Sequence, residues 1–202
     1  MSKKHRKNKD IKAATAYKPT YTTDTICHHI RPVFKCEDVT FFGGSWRWDE
    51  PEKWEGVLID LDDRIKPLVE ITGFSQEIRE RLSPPAPDTI RITWPDFGVP
   101  TLDRDFWLKL TEALLDFKKD VLVTCFSGHG RTGTCLTIIA GILGVKDPVG
   151  LIREKLCSKC IETKSQMEYA ARVTGLIFSE SKPYYGYPLA YGKDVKDEDW
   201  WN

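Results

Sequence analysis

The feature that most restricts the fold of this chain is an apolar strand that leads into a glycine-rich loop and then into a helix. The run Val-Leu-Val-Thr at 121–124 is typical of a buried strand, and an apolar helical pattern follows from about Arg131 to Leu143. Between them lies the loop Ser127-Gly-His-Gly130. Glycines in such a loop allow backbone N–H groups to converge at the start of the helix. The unit therefore predicts an anion-binding site.

The other patterns place this unit in an α/β fold with a central, mainly parallel or mixed sheet flanked by helices. The range 39–48 predicts a short strand followed by a Gly-Gly turn, and two further strands are predicted at 57–61 and 89–93. Four further helices are predicted: 75–82, 102–119, 148–157 and 165–179. The second of these carries an apolar face of Leu102, Phe106, Leu110 and Leu114. Because strands alternate with helices, we expect helices to cover both faces of the sheet.

The length of 202 residues suits one domain with tails, and we place the domain at 26–182. The arm 1–25 is basic and is expected to be disordered. Its first 18 positions contain seven Lys and Arg residues but only one acidic residue, Asp10. Such an arm is either a solvated tail or a contact for nucleic acid or acidic lipid. The tail 183–202 is acidic and then aromatic. Overall, 30 basic residues balance 30 acidic ones, so bulk charge indicates no partner.

The sequence contains no signal-peptide pattern and no apolar segment long enough to cross a bilayer. The longest apolar stretch, 135–145, is short and is interrupted by glycine. We therefore expect a soluble cytoplasmic protein with no membrane span.

Six cysteines are spread along the chain, and in a reducing compartment we expect free thiols: Cys27, Cys36, Cys125, Cys135, Cys157 and Cys160. Zinc ligation by the pair Cys157 and Cys160, or by Cys27-His28-His29 with Cys36, is an alternative that the residue types allow. A single Cys-x-x-Cys pair is more often two unrelated thiols. We therefore expect neither a metal nor another cofactor.

Cys125 is the candidate nucleophile, because it ends the strand at the mouth of the glycine-rich loop. Converging N–H dipoles and a nearby guanidinium favour a thiolate there. Arg131, six positions later, can hold two phosphoryl oxygens with its planar fork. Thr132 is placed to hydrogen-bond the sulfur when it leaves, and Gly133 permits close packing of the helix. This constellation indicates a phosphoryl-transfer site.

The string Cys125-Phe-Ser-Gly-His-Gly-Arg131-Thr-Gly133 resembles the signature loop of the protein-tyrosine and dual-specificity phosphatases, which reads Cys, five residues, Arg, Thr or Ser, Gly. The resemblance implies the phosphatase type of α/β fold, a phosphocysteine intermediate on Cys125 and a phosphate clamp at Arg131. It also implies that the whole loop binds the phosphate: Phe126, Ser127, Gly128, His129, Gly130 and Arg131.

Asp96 is the candidate general acid. It lies in Trp94-Pro-Asp-Phe-Gly-Val-Pro100, where prolines fix both ends and Gly98 is free to act as a hinge, so the loop can close as a lid. The heptapeptide is similar to the mobile acid loop of classical tyrosine phosphatases. The resemblance implies that Asp96 protonates the leaving oxygen and then, as a carboxylate, activates the hydrolytic water.

The segment Ile161-Glu-Thr-Lys-Ser-Gln166 resembles the family's glutamine loop, which orients that water. Gln166 fits one of the two glutamine positions, whereas Glu162 stands where the other glutamine is expected. Gln166 is thus either a water-positioning residue or the exposed end of a helix.

Three features depart from the classical pattern. Thr124 replaces the histidine that usually precedes the nucleophile, and no substrate-depth loop is recognisable, which suits the compact dual-specificity branch. His129 either faces the substrate or packs outward.

The leading prediction is hydrolysis of phosphotyrosine in proteins, with phosphoserine and phosphothreonine as further substrates. A phosphoinositide or an RNA 5′ phosphate is an alternative substrate that the basic arm keeps open. A phosphate-binding module without turnover is a third interpretation, but such a module has no need of Asp96. Rhodanese-like or arsenate-reductase chemistry shares the Cys-to-Arg spacing and leaves the lid unexplained.

Overall fold

The structure is a computed structural model that describes residues 29–62 and 88–178. The basic arm 1–25, the tail 183–202 and the helix expected at 75–82 lie outside these ranges. Among the helices that are described, none combines the length and the apolar character that a bilayer span requires.

Within the described residues, five strands form one sheet: β1 (Arg31–Cys36), β2 (Val39–Ser45), β3 (Val57–Asp60), β4 (Asp88–Arg91) and β5 (Val121–Cys125). Their spatial order is β1-β2-β5-β3-β4. The β1/β2 pair is antiparallel, and the other three neighbouring pairs are parallel. This mixed sheet confirms the expected α/β class.

The described ranges contain four α-helices, which pack around the sheet: α1 (Arg104–Asp116), α2 (Gly130–Ile142), α3 (Pro148–Lys155) and α4 (Lys164–Thr174). Helix α2 lies against β2 and β5 and contacts the three other helices. Every residue of β3 and β5 is buried, so both faces of the sheet are covered at its centre. The expected helices at 102–119, 148–157 and 165–179 are confirmed, although each is shorter than its sequence pattern.

Helix α1 begins where its sequence signals a start. The Asp103 side chain accepts a hydrogen bond from the Phe106 N–H and so caps the first turn. Phe106, Leu110 and Leu114 are buried, as the apolar face predicts.

An aromatic cluster beneath residues 94–100 supports the predicted lid. Trp94 packs edge to face against Trp107 and Tyr169, with ring centroids 6.0 Å away in both cases. Trp107 Nε1 donates to the Tyr169 hydroxyl at 2.6 Å, and that hydroxyl donates to the Leu102 carbonyl at 2.8 Å. The first residue of the lid is thereby fixed in the core.

The expected Gly-Gly turn is wrong, because Gly43 and Gly44 lie inside β2 and pair with β5. A Cβ at Gly43 would lie 2.6 Å from the Leu156 side chain, and one at Gly44 would lie 2.8 Å from Ile30. The glycines serve close packing rather than chain reversal. Strand β1, which the sequence analysis did not identify, pairs with β2 and forms the edge of the sheet.

Candidate active site

The candidate nucleophile is held by the sheet. Cys125 is the last residue of β5 and is 2% exposed. Pairing continues past the end of β2, since the Trp46 N–H donates to the Cys125 carbonyl at 3.0 Å and the Arg47 N–H donates to the Phe126 carbonyl at 3.1 Å. The backbone of Cys125 and Phe126, which lead into the glycine-rich loop, is therefore fixed by these hydrogen bonds.

Gly128 turns the loop back over the sulfur. Its φ of +76° is a left-handed conformation that favours glycine, and a Cβ there would lie 2.9 Å from the Gly44 carbonyl oxygen. Its N–H donates to Cys125 Sγ at 3.3 Å. A backbone dipole is thus directed at the sulfur, as a nucleophile that carries negative charge requires.

Arg131 joins three parts of the site. Its side chain is 3% exposed. Nη1 donates to the Leu61 carbonyl at 3.2 Å and to the Trp94 carbonyl at 3.4 Å. Nη2 lies 3.1 Å from Asp96 Oδ1. The guanidinium is therefore oriented by the residue that follows β3 and by the lid.

The lid lies over the loop with Asp96 directed at Arg131. A turn closes it, since the Gly98 N–H donates to the Pro95 carbonyl at 3.0 Å and Trp94 Nε1 donates to the Gly98 carbonyl at 2.8 Å. Phe97 has a φ of +55°, which is unusual for a residue with a side chain. The structure thus brings Asp96 to Arg131, at the end of the loop that begins with Cys125.

Two threonine hydroxyls beside the nucleophile are buried without a hydrogen-bond partner among the described residues. Thr124 precedes Cys125, and Thr132 follows Arg131; both side chains are fully buried. A buried hydroxyl that makes no hydrogen bond costs about 1–3 kcal/mol. The Thr132 hydroxyl is consequently available as a donor, and its role toward the sulfur stays a prediction.

His129 does not pack outward, since it is only 8% exposed at the position preceding α2.

Gln166 is fully buried, so the interpretation as an exposed helix end is wrong. Its Oε1 accepts from the backbone N–H groups of Glu162 and Thr163 at 2.9 and 3.3 Å, and its Nε2 donates to the Gly98 carbonyl at 3.4 Å. The Thr163 hydroxyl donates to the Phe97 carbonyl at 3.1 Å. The first turn of α4 therefore holds the lid backbone, and the water-positioning role of Gln166 stays a prediction.

Glu162 is a site residue to which the sequence analysis assigned no role. Its carboxyl lies against the end of the loop 125–131, called the phosphate loop below. A methyl group on Gly130 would overlap Oε2 of Glu162. Burial, and secondarily the charge of Asp96, raise the pKa of Glu162 to about 7, while the Gly130 N–H, Arg131 and Lys159 act in the opposite direction. The sequence signal was only a Glu at an expected Gln position.

The segment that carries Glu162 is pressed against the helix that carries Arg131. A Cβ at Gly133 would lie 2.6 Å from the Cβ of Cys160. Ile161, which is β-branched and buried, has a φ of +61°, a strained conformation for such a residue. Arg153 donates to the carbonyls of Cys160 and Ile161 at 3.1 and 3.5 Å and supports this turn.

The cysteines of the described ranges are all free thiols: Cys36, Cys125, Cys135, Cys157 and Cys160. Burial and the neighbouring Cys125 raise the pKa of Cys135, so it stays a protonated thiol. Across residues 29–62 and 88–178, no three His, Cys, Asp or Glu side chains are grouped so as to hold a metal ion. Cys27 and His28 lie outside these ranges.

Comparison with known proteins gives a family match over part of the chain. Residues 57–144 match the family described as "Polymorphic toxin system, DSP-PTPase phosphatase". Two uncharacterised proteins of Methanocaldococcus jannaschii are each 38% identical over 82 residues, which is 40% of this chain and 52% and 56% of theirs. The chain thus spans about half the length of these curated relatives.

Solved structures are also similar to this chain. The crystal structure of the Trypanosoma cruzi protein tyrosine phosphatase TcPTP1 is 16% identical, with a TM-score of 0.48, over 83% of this chain and 80% of that one. The crystal structure of Tk-PTP in the active form is 21% identical, with a TM-score of 0.47, over 69% of this chain and 92% of that one.

Proposed function

Because residues 57–144 match a phosphatase family and Cys125, Arg131 and Asp96 occupy the positions that such chemistry needs, we propose that the chain hydrolyses phosphomonoesters through a phosphocysteine intermediate. In the first step, the Cys125 sulfur attacks phosphorus, Arg131 binds two non-bridging oxygens, and Asp96 gives its proton to the leaving oxygen. In the second step, water attacks the phosphocysteine, Asp96 takes the water proton, and the Cys125 thiolate leaves with inorganic phosphate as the product.

The observation that carries this proposal is the 3.1 Å approach of Asp96 Oδ1 to Arg131 Nη2, above a loop whose Gly128 N–H is directed at Cys125 Sγ. Nucleophile, clamp and acid come from three different segments, yet they meet at one place. A module that only binds phosphate gains nothing from a carboxylate beside its arginine, because the carboxylate repels the ligand. The arrangement therefore supports turnover over binding alone.

Thr132 completes the proposed second step. When the sulfur leaves phosphorus, it gains negative charge, and a hydroxyl donor near it stabilises that charge. Because the buried Thr132 hydroxyl has no partner within the described residues, donation to the sulfur would give up no other hydrogen bond.

We further propose phosphorylated protein as the substrate class, with phosphotyrosine as the first candidate. The rim beside the loop is aromatic and cationic, since the Arg47 guanidinium lies 4.9 Å from the Trp48 ring centroid and 5.9 Å from that of Phe126. Trp48 is 49% exposed and offers a surface against which a phenyl ring can stack. A phosphoinositide or RNA substrate depends on the basic arm 1–25, which lies outside the described residues, and no contact in the structure favours it.

The test is hydrolysis of 4-nitrophenyl phosphate by the full chain and by Cys125→Ser, together with acid-quench trapping of a phosphorylated protein. We expect Cys125→Ser to lower kcat more than about 10³-fold and to abolish the trapped species, because a serine hydroxyl is a much weaker nucleophile than a cysteine thiolate. Cys36→Ser, a buried thiol in β1, is the matched control and keeps its activity. Equal turnover in Cys125→Ser and in the unmodified chain would refute the mechanism. No turnover in the unmodified chain, with phosphate-analogue binding retained, would establish the binding module instead.

A further inference from the structure

Glu162 places a second carboxyl group, besides that of Asp96, at the edge of the phosphate loop. Contacts of its backbone fix its position, and these contacts do not involve the carboxylate charge. Gln166 Oε1 holds its backbone N–H at 2.9 Å, and the strained Ile161 precedes it. The carboxyl faces Gly130, the residue immediately before the clamp Arg131, and interacts with the Gly130 N–H. In a loop of this kind, backbone N–H groups form the anion site.

Charged groups from several elements act on this carboxyl. Asp96 approaches from the lid, Arg131 from α2 and Lys159 from the segment between α3 and α4. His129 adjoins Gly130 in the loop and is a further titratable neighbour, and Arg153 from α3 donates to the carbonyls just before Glu162. Burial dominates the balance, and the pKa of Glu162 is raised to about 7, so its charge changes close to neutral pH.

We propose that the proton on Glu162 controls the binding of phosphate to the loop: the neutral carboxyl admits the dianion, and the ionised carboxylate opposes it. The inference rests on the proposed function, because it assumes that the loop binds a phosphoryl dianion.

Two physical effects support this control. An ionised Glu162 adds a negative charge beside Asp96, in a partly buried site where charges are weakly screened. The carboxylate also competes with the ligand for the Gly130 N–H, which serves whichever anion is present. When Glu162 carries its proton, the first effect disappears and the second weakens, because a neutral carboxyl is a weaker acceptor than a carboxylate.

The proposal fixes the size of the pH effect. If the dianion binds only the neutral form, affinity falls with the fraction of neutral Glu162, which makes binding about tenfold weaker at pH 8 than at pH 6. By linkage, binding at pH 8 then takes up close to one proton per site.

Titration calorimetry with tungstate, a phosphate-shaped oxyanion that keeps its double charge between pH 6 and 8, tests this inference. Binding is measured in the Cys125→Ser background, so that titration of the nucleophile does not contribute. We expect an approximately tenfold loss of affinity from pH 6 to pH 8 in this background. After addition of Glu162→Gln, we expect a change of less than about threefold. Glu168→Gln, which removes an exposed carboxylate of α4, the helix that follows Glu162, is the matched control and keeps the full pH dependence.

Repeating the titrations at pH 8 in buffers of different ionisation enthalpy gives the proton uptake without relying on the Glu162 variant. Uptake near one proton supports the proposal, and uptake near zero overturns it. Identical pH slopes with and without Glu162→Gln also overturn it, and they assign the slope to another group of the site. If tungstate binds at all pH values without proton uptake, the proposed function stands and only the control by Glu162 fails. If tungstate does not bind at any pH, the phosphate site itself is refuted.

Discussion

Cys125 and Arg131 are 2% and 3% exposed, whereas the side chain of Asp96 is 54% exposed, although we propose that all three serve one reaction. The phosphate loop inherits its geometry from the core, because β5 leads into it and α2 leads out of it. Beyond the buried Trp94, the lid is held by polar contacts, among them the Asp96–Arg131 pair, Trp94 Nε1 and Gln166 Nε2 on the Gly98 carbonyl, and the Thr163 hydroxyl on the Phe97 carbonyl. The phosphate loop is therefore part of the folded core, whereas the lid beyond Trp94 lies on the surface of that core.

This difference predicts that substitutions on the lid affect mainly the rate of the reaction, whereas substitutions in the phosphate loop affect mainly the packing of the core. Substitutions on the lid should change rates while leaving the reactivity of Cys125 intact. Three predictions test this contrast, in order of decreasing expected effect.

The largest effect is expected for Asp96→Asn. Because amide nitrogen cannot supply the proton, kcat for phenyl phosphate should fall about 10²- to 10³-fold. The loss should be much smaller for 2,4-dinitrophenyl phosphate, whose leaving group needs no proton. Asp105→Asn removes an exposed carboxylate that pairs with Lys109 on α1, and should change neither rate more than about twofold. An equal loss on both substrates would show that Asp96 holds the loop and does not act as an acid.

The next effect concerns stability at the junction of lid and loop. Since the pKa of Glu162 is raised from its ordinary value of 4.5 to about 7, this group contributes stability that is full below about pH 4.5 and is lost as the pH rises through 7. Relative to Glu162→Gln, the free energy of unfolding of the unmodified chain should fall by about 2 kcal/mol between pH 5 and pH 8.

Urea unfolding of both proteins at several pH values measures this difference. Glu168→Gln should give a difference that is nearly independent of pH, since that carboxylate is exposed. If the unmodified chain instead became more stable relative to Glu162→Gln as the pH rises, this would contradict the burial of the Glu162 carboxyl.

The smallest effect is expected for Gln166→Met, which keeps the size of the side chain but removes the hydrogen bond to the Gly98 carbonyl, together with those that Oε1 accepts from the Glu162 and Thr163 N–H groups. A neutral hydrogen bond contributes about 0.5–1.5 kcal/mol, so kcat should fall about 3- to 10-fold. The alkylation rate of Cys125 by iodoacetate, a small anion that needs no lid, should stay within about twofold. If both rates fell together, Gln166 would support the phosphate loop as well, and the contrast between the two halves would be lost.

The sequence predicted those parts of the site that depend on neighbours along the chain. Cys125, Arg131 and Asp96 were identified because each belongs to a short string whose backbone requirements are local. Strand β5 and helix α1 followed for the same reason, from an apolar run and an apolar face.

What the sequence did not reveal depends on residues that are distant along the chain. Gly43 suits a turn by its type, but the Leu156 side chain requires a residue without Cβ at that place in β2. The burial of Glu162 could not be predicted from its neighbours in sequence, because it is covered by the Gly130 backbone of another element. Gln166 suits a surface position by its residue type, but the Gly98 carbonyl of the lid lies against it.

The contact of Gly133 with Cys160 has a mechanical consequence. With no space for even a methyl group between them, α2 and the segment 160–163 have no room to move toward each other. That segment continues into the first turn of α4, which grips the lid at Phe97 and Gly98. Helix α2 is therefore linked to the lid in two places, directly through the Arg131–Asp96 pair and indirectly through the segment 160–163.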